Sequence, residues 1–393
     1  MSTTAEQPAP ASAQRSGIPL SVYVHLPWCV RKCPYCDFNS HRAPAELPET
    51  AYIDALLADW ALAAADENRP IDTVFFGGGT PSLFSAEAIG RILAALDARL
   101  GLSSDCEITL EANPGTTERT RFADLRAVGV NRLSLGIQSL DNDCLSALGR
   151  IHGAAEALAA IDDARAGGFT AINCDLMFGL PGQTHARAMA DIDGIIEREP
   201  GHISYYQLTL EPNTPFYRQP PALPDDDAVV EIFERAGERL RSAGYAQYEV
   251  SAWAQPGKAC RHNENYWRFG DYLGIGAGAH GKRTRADGHI ERSARQRWPT
   301  GYMSVAGRPA SIAESRLLDE DDACFEFLLN GLRRRAGVTR NDYEQRTGLD
   351  WQALGTTLAE PIAQGLVAFD RQTLRATERG WRFLDTILAE VLP

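Results

Sequence analysis

A chain of 393 residues with a formal charge of −13 at pH 7 has enough apolar material for one domain of up to about 250 residues and a second, smaller one. Its acidic balance argues against broad attraction to nucleic acid or to an anionic membrane. Eight cysteines in so long a chain exclude a small disulfide-stapled scaffold.

Residues 1–17, "MSTTAEQPAPASAQRSG", are rich in Ala, Pro, Ser and Thr without an apolar period, which predicts a disordered leader and no secretory signal. The longest apolar helix pattern, "YIDALLADWALAAAD", is interrupted by Asp54 and Asp59, so no transmembrane span is expected. These features predict a soluble protein of a reducing compartment, the cytoplasm. From residue 18 strands and helices alternate. "LSVYVHL", "IDTVFFGGG", "CEITLEANP", "NRLSLGIQS", "FTAINCDLMF" and "HISYYQLTL" are short apolar, β-branched runs, separated by helical patterns such as "TAYIDALLADWALAAADE", "SAEAIGRILAALDARL" and "AAEALAAIDDARAGG". Six such units predict an α/β fold with a parallel sheet, a partial (βα)6 barrel, over residues 18–255.

Residues 256–314 are expected to be a connecting segment. Residues 315–393 change to helices with a late hairpin-like "GLVAFDRQTLRATERG", which predicts a small helical, winged-helix-like domain. Such domains often bind DNA, but this stretch holds ten arginines against thirteen acidic residues, which favours a structural or protein-contact role.

The chemistry concentrates in "CVRKCPYCDF". Cys29, Cys33 and Cys36 are spaced C-x3-C-x2-C in a loop after the first strand, where a barrel enzyme places its site. Three thiolates can hold three irons of a [4Fe-4S] cube and leave the fourth open. The alternatives are ordinary buried thiols or a zinc site borrowing His41. Polar residues also fall at successive strand ends: "FFGGGTPS" after the second, Glu111 after the third, Gln138 and Ser139 after the fourth, and Asp175 near the end of the fifth. Gly77, Gly78 and Gly79 would let backbone groups approach a ligand amino group. Taken singly, Glu111 and Asp175 read equally well as helix caps, and Arg150 as a surface ion pair.

"YVHLPWCVRKCPYCDF" resembles the radical S-adenosylmethionine superfamily, and its flanks resemble the branch that contains oxygen-independent coproporphyrinogen III oxidase and the HemW haem chaperones. The resemblance runs from about residue 20 to the C-terminus. It implies a cluster whose open iron is chelated by S-adenosylmethionine, cleaved by one electron to a 5′-deoxyadenosyl radical, with the protein orienting the cofactor and excluding water. It also implies that Tyr23, Tyr35, Gly78, Gly79, Thr80, Glu111, Gln138, Arg150 and Asp175 line the cofactor, Arg150 pairing its carboxylate.

"GIGAGAHG", with Gly276 to Gly281, matches G-x-G-x-x-G, but "KRTRADGHIERS" follows, too polar and broken for the helix that a dinucleotide site needs. Tight turns or close backbone packing are expected there instead. Cys106, Cys144, Cys174 and Cys324 are scattered singly and read as small buried hydrophobes. His25, His152, His185, His202 and His289 lack metal-ligand spacing, and His152 in "GRIHG" is the one expected to face the cofactor.

Two features separate the oxidases from the chaperones. The oxidases carry a further cysteine two positions after the third, where this chain has Phe38, and a longer N-terminal arm, where this chain has its low-complexity leader. "CRHNENYWRFGDYLG" holds the H-N-x-x-Y-W pattern of the chaperone branch. His262 would offer a nitrogen to haem iron, with Tyr266 and Trp267 packing on the porphyrin and Cys260 a rival ligand. The other reading makes His262, Asn263 and Asp271 a hydrogen-bonded cluster. The expected function is a haem chaperone that carries a [4Fe-4S] cluster and S-adenosylmethionine and passes haem to an acceptor haem protein, at a membrane or free, with no nucleic-acid partner and a homodimer as the expected assembly. The alternatives are decarboxylation of coproporphyrinogen III and another radical reaction on a tetrapyrrole.

Overall fold

The structure, a computed structural model, describes residues 17–115 and 121–392. The expected leader lies outside the described residues, apart from Gly17. Six parallel strands follow the six apolar runs: β1 (Leu20–Leu26), β2 (Ile71–Gly78), β3 (Leu102–Ala112), β4 (Arg132–Gln138), β5 (Ala171–Phe178) and β6 (His202–Gln207). Helices connect them: α1 (Glu49–Ala63), α2 (Ala86–Leu100), α3 (Phe122–Ala127), α4 (Ala154–Ala166) and α5 (His185–Ile196), with α6 (Asp226–Ser242) after β6.

In β1 every residue but Tyr23 is buried, as expected of a parallel strand covered on both faces. Helix α2 shows how the helical pattern is read out. Ile89, Ile92, Leu93 and Leu96 are its buried stripe, Ser85 caps it by accepting from the Ala88 amide at 3.1 Å, and Gly101 ends it.

The sheet extends beyond the six units at both ends. Its twelve strands run β12-β11-β10-β9-β1-β2-β3-β4-β5-β6-β8-β7, where β7 is Ala246–Glu249, β8 Ala252–Ala254, β9 Asp271–Ile275, β10 His280–Thr284, β11 Ile290–Arg295 and β12 Ile312–Leu317. β9 joins β1 in parallel, and the remaining additions are antiparallel. The row has two free ends, so the barrel is partial.

Residues 256–314 thus contribute three strands and the start of a fourth to the main sheet, preceded by helix α7 (Arg261–Trp267). Asp271 explains the fit. Its buried carboxylate meets Lys282 Nζ at 3.0 Å and an Arg69 guanidinium nitrogen at 2.9 Å, fastening β9 to β10 and to the start of β2. Burial works against its charge, but the two cations hold the carboxyl below its ordinary range.

Helices α8 (Glu320–Gly331), α9 (Arg340–Thr347) and α10 (Trp351–Thr357) surround a second apolar cluster with Phe327, Tyr343, Trp351 and Leu374. Phe269, in the turn before β9, and Ile290 of β11 belong to the same cluster. The hairpin-like segment forms β14 (Val367–Phe369) and β15 (Thr373–Ala376), with β13 (Val338–Thr339) as the third strand of a small wing. The seam is also ionic: Arg333 meets Glu249 at 3.0 Å, Arg334 meets Glu264 at 3.1 Å, and Arg268 meets Asp342 at 3.0 Å.

Candidate functional site

Strand register brings the interior polar residues into rows. Glu111 pairs with Ser134, Ser134 with Asn173, and Asp175 with Ser204, so one face of four adjacent strands presents carboxylates, hydroxyls and an amide together. Glu111, Ser134, Asp175 and Ser204 floor a cavity of about 560 Å3 whose rim is the cysteine loop, and Asn173 lies beneath them.

That loop is pinned at both ends. Trp28 and Cys29 pair in parallel with His41 and Arg42, and the Ala43 amide donates to the Cys29 carbonyl at 2.8 Å. Lys32 Nζ donates to the carbonyls of Phe38 (3.0 Å) and Ser40 (3.1 Å), which folds the segment back on itself. Cys29, Cys33 and Cys36 are free, half-buried and on the same cavity wall. Burial, with the neighbouring thiols adding to it against the Thr80 hydroxyl, pushes Cys29 up to about 11. Among the described residues no three His, Cys, Asp or Glu side chains converge on a single metal ion. A cube ligated through separate irons places no such demand.

Of the nine residues expected to line the cofactor, Tyr35, Gly78, Gly79, Thr80, Glu111, Gln138, Arg150 and Asp175 all border this cavity. Tyr23 does not; it faces the adjoining space and bonds His25 Nδ1 at 3.0 Å. Glu111 accepts from the Gly78 amide at 3.1 Å, and burial, reinforced by Asp175, pushes its carboxyl up to about 8. Asp175 is also raised by burial, against bonds from Asn173, Ser204 and Ser134.

Gly78 sits at φ +112°, and a Cβ there would fall within 2.5 Å of the His25 ring. The glycine run answers to this packing: the Gly78 and Gly79 amides bond Glu111 and the Leu26 carbonyl. Gln138 holds a left-handed backbone at φ +71° beside an irregularity in the β4–β5 ladder, and its side chain accepts from Tyr206 OH at 2.7 Å. Such strain in a non-glycine residue is typical of functional sites.

Arg150 donates to the Gly136 carbonyl at 2.8 Å and to Asn113, and reaches Cys33 Sγ at 3.6 Å. It is a cavity residue and not a surface ion pair. Among the described residues its Nε is buried without a partner, an orphaned donor of the kind that a bound carboxylate satisfies.

A second cavity of about 790 Å3 adjoins the first and shares Asp37, Phe38, Gly78, Glu111 and Trp267 with it. Its far wall is the antiparallel extension of the sheet, with Tyr272, His280, Lys282, Arg292 and Ala294. Tyr266, Trp267 and Phe38, the last 62% exposed, supply aromatic surface.

The model described as Radical SAM superfamily matches residues 23–193, and one described as HemN C-terminal domain matches residues 318–383. The chain is 48% identical over 371 residues to "Heme chaperone HemW" of Escherichia coli (strain K12), covering 94% of this chain and 97% of that one. The chain belongs to the HemW family. The namesake protein of Haemophilus influenzae is 46% identical over 375 residues, with 94% and 97% covered. "Radical S-adenosyl methionine domain-containing protein 1, mitochondrial" of Mus musculus is 36% identical over 403 residues, with 99% and 90% covered. The solved structure of coproporphyrinogen III oxidase (HemN) from Escherichia coli superposes with a TM-score of 0.81 at 25% identity, covering 97% of this chain and 92% of that one.

Radical SAM proteins use a [4Fe-4S] cluster and S-adenosylmethionine, and these are the cofactors of this HemW-family chain. Three free thiols on one wall, an orphaned guanidinium nitrogen and two half-buried carboxylates fit them.

The H-N-x-x-Y-W segment lies mainly in α7 and departs from expectation at its histidine. His262 is fully enclosed: Nδ1 bonds the Thr73 hydroxyl at 2.8 Å and Nε2 bonds Tyr266 OH at 2.9 Å, and the ring borders neither of the two large cavities. Burial lowers it to about 3, so it stays neutral. Iron would have to displace one of those partners. Cys260, the rival, is buried against Glu107 at 3.5 Å and pushed up to about 12 by burial. Asn263 borders the cofactor cavity, while Asp271 bonds Lys282 and Thr284, so the two do not form one cluster with His262. His152 also departs from expectation: it is buried behind β4, bonding the Ile137 carbonyl at 3.0 Å, and does not face the cofactor cavity.

Sequence reasoning missed Asn113, which joins Thr80 (2.8 Å) to Arg150, and the Ser134–Asn173–Ser204 row beneath Asp175. Asn113 lay two positions past Glu111 at the same strand end, a signal that was available.

Proposed function

We propose that this protein carries haem in the larger cavity and delivers it to an acceptor haem protein, free or at a membrane. Cys29, Cys33 and Cys36 hold the [4Fe-4S] cluster. Tyr35, Gly78, Gly79, Thr80, Glu111, Gln138, Arg150 and Asp175 surround S-adenosylmethionine, with Tyr23 behind them. The bound pair supplies one-electron chemistry at a sulfonium. The chain's own part is to orient and enclose: Arg150 Nε takes the carboxylate, Glu111 and Asp175 face cationic or hydroxyl groups, and Lys32 keeps the cysteine loop folded. The protein acts in the cytoplasm, as a homodimer, without nucleic acid. No helix among the described residues is long and apolar enough to cross a membrane.

One observation carries the haem reading: an aromatic-walled space of about 790 Å3, within the size range of ligand sites, opens beside the cofactor cavity and shares five residues with it. The H-N-x-x-Y-W segment supplies Tyr266 and Trp267 to that wall, and His262 acts as a positioning residue that fixes the Tyr266 hydroxyl. The 48% identity to a protein named as a heme chaperone supports the same reading. The test is anaerobic titration of cluster-loaded protein with ferric haem, followed by mixing with an apo-haem protein. Saturation near one haem per chain, with the Soret signal moving to the acceptor, is expected. Absence of saturable binding overturns the reading.

The resemblance to coproporphyrinogen III oxidase at TM-score 0.81 favours a second reading, decarboxylation of a porphyrinogen. Phe38, in place of the oxidases' further cysteine, stands against it. Anaerobic incubation with coproporphyrinogen III, S-adenosylmethionine and a reductant would show vinyl product if that reading held.

A further inference from the structure

The haem reading leaves the iron without a ligand, since His262 is closed on both nitrogens. Two other histidines border the larger cavity. His25 is occupied in the same way, by Tyr23 OH at 3.0 Å and the Asn39 carbonyl at 2.9 Å. His280 is not. Neither of its ring nitrogens bonds another described residue, and it is exposed at the start of β10.

Register places it well. In the antiparallel β10–β11 ladder His280 pairs with Ala294 and Lys282 with Arg292, so these four side chains share one face, and all four border the cavity. Ala294 opposite His280 is small, and Glu314 of β12 follows it in the same row. The backbone beneath is held tightly: a Cβ on Gly274 would lie 1.9 Å from the His280 carbonyl oxygen, so β9 and β10 approach as only a glycine permits. "GIGAGAHG" therefore matches a nucleotide fingerprint by spacing while serving close strand packing, and its penultimate residue is a histidine that borders the cavity.

The remaining features of a haem seat border the same space. Tyr272, Trp267 and Phe38 offer planar apolar faces. Of the cavity's cations, Lys282 is tied to Asp271, Arg295 to Asp59 and Arg292 to Glu326, while Arg297 is exposed and has no side-chain partner among the described residues. A haem presents an iron that takes an imidazole, a flat apolar ring, and two propionates that take a guanidinium.

We propose that His280 is the axial ligand of the carried haem and that Arg297 holds a propionate. This rests on the haem-carrier reading above. The test uses cluster-loaded full-length protein titrated anaerobically with ferric protoporphyrin IX and, in parallel, with its dimethyl ester, following the Soret band and the haem electron paramagnetic resonance signal. His280→Ala is expected to weaken binding about tenfold or more and to change the ligand signature, with added imidazole restoring it. His262→Ala should keep the wild-type signature. Arg297→Glu should weaken binding of the free acid about fivefold while leaving the ester unchanged. The cluster absorbance reports that each variant is folded, and both new substitutions are at exposed positions. If wild type binds haem and His280→Ala does so with the same affinity and spectrum, the ligand assignment is overturned while the carrier stands. If Arg297→Glu affects acid and ester alike, the propionate assignment is overturned. If wild type binds no haem, the carrier reading itself has failed.

Discussion

The two cavities share a wall but differ in which elements form them and in which polar groups are left without a partner. The cofactor cavity is formed by the ends of parallel strands, and nearly every polar group in it is bonded to another, as in the Ser134–Asn173–Ser204–Asp175 row and the Thr80–Asn113–Arg150 chain. The larger cavity is formed by an antiparallel extension meeting α7, and it is lined by aromatic rings with His280 and Arg297 left open. A preorganised polar site suits a cofactor held for long periods, because its groups need no rearrangement when the ligand arrives. A site whose aromatic walls carry an imidazole and a guanidinium without partners among the described residues suits a cargo that must leave.

The largest test of this division is removal of a cluster ligand. Cys29→Ala, Cys33→Ala or Cys36→Ala is expected to abolish the [4Fe-4S] absorbance outright, while ferric haem binding in the neighbouring cavity persists; joint loss would show that the two spaces act as one site. Next comes the anchor of the extension. Asp271→Asn leaves Lys282 buried beside a neutral partner, while Arg69 keeps Glu67 at 2.8 Å, and should cost about 3–5 kcal/mol of stability in denaturant unfolding, because a buried pair broken on one side strands the other charge. A cost below about 1 kcal/mol would mean that the extension is not fastened there.

Trp267 borders both cavities and lies under Arg333 at 4.4 Å from the ring centroid. Trp267→Ala should weaken haem and S-adenosylmethionine binding together by about 1–2 kcal/mol each, read by titration of either ligand; an effect on one alone would sharpen the boundary between them. A further effect concerns pH. Glu111 has a folded value near 8, above its ordinary 4.5, so between those values the unfolded chain has released a proton that the folded chain still holds. Stability of the cofactor-free protein is therefore expected to fall as pH rises from about 5 to 8, and Glu111→Gln should flatten that slope in thermal melts. An unchanged slope would remove Glu111 as its source.

The contrast between His262 and His280 shows what a motif does and does not disclose. H-N-x-x-Y-W is legible because its spacing is dense, yet in α7 the spacing turns the imidazole toward Thr73 and Tyr266, both of which can bond it. His280 carried no signal beyond a misleading glycine pattern, since what makes it available is the missing partner on three strands around it. Asp59 teaches the same from the other side. In sequence it only interrupts an apolar helix, whereas in the fold it is buried with Arg295 (2.8 Å) and Tyr302 OH (2.9 Å), more than two hundred residues away.

Local order alone determined the six strand–helix units, the cysteine loop after the first strand, and the strand ends that carry Glu111, Gln138 and Asp175, because periodicity and turn residues act over a few positions and parallel strands put their C-terminal ends on one side. Tertiary structure alone decided that residues 256–314 extend the main sheet, that a second cavity opens beside the first, and which histidine is free within it. Those outcomes depend on which distant groups meet and bond one another, as Asp271 does with Arg69 and Lys282, and chain order carries no record of such meetings.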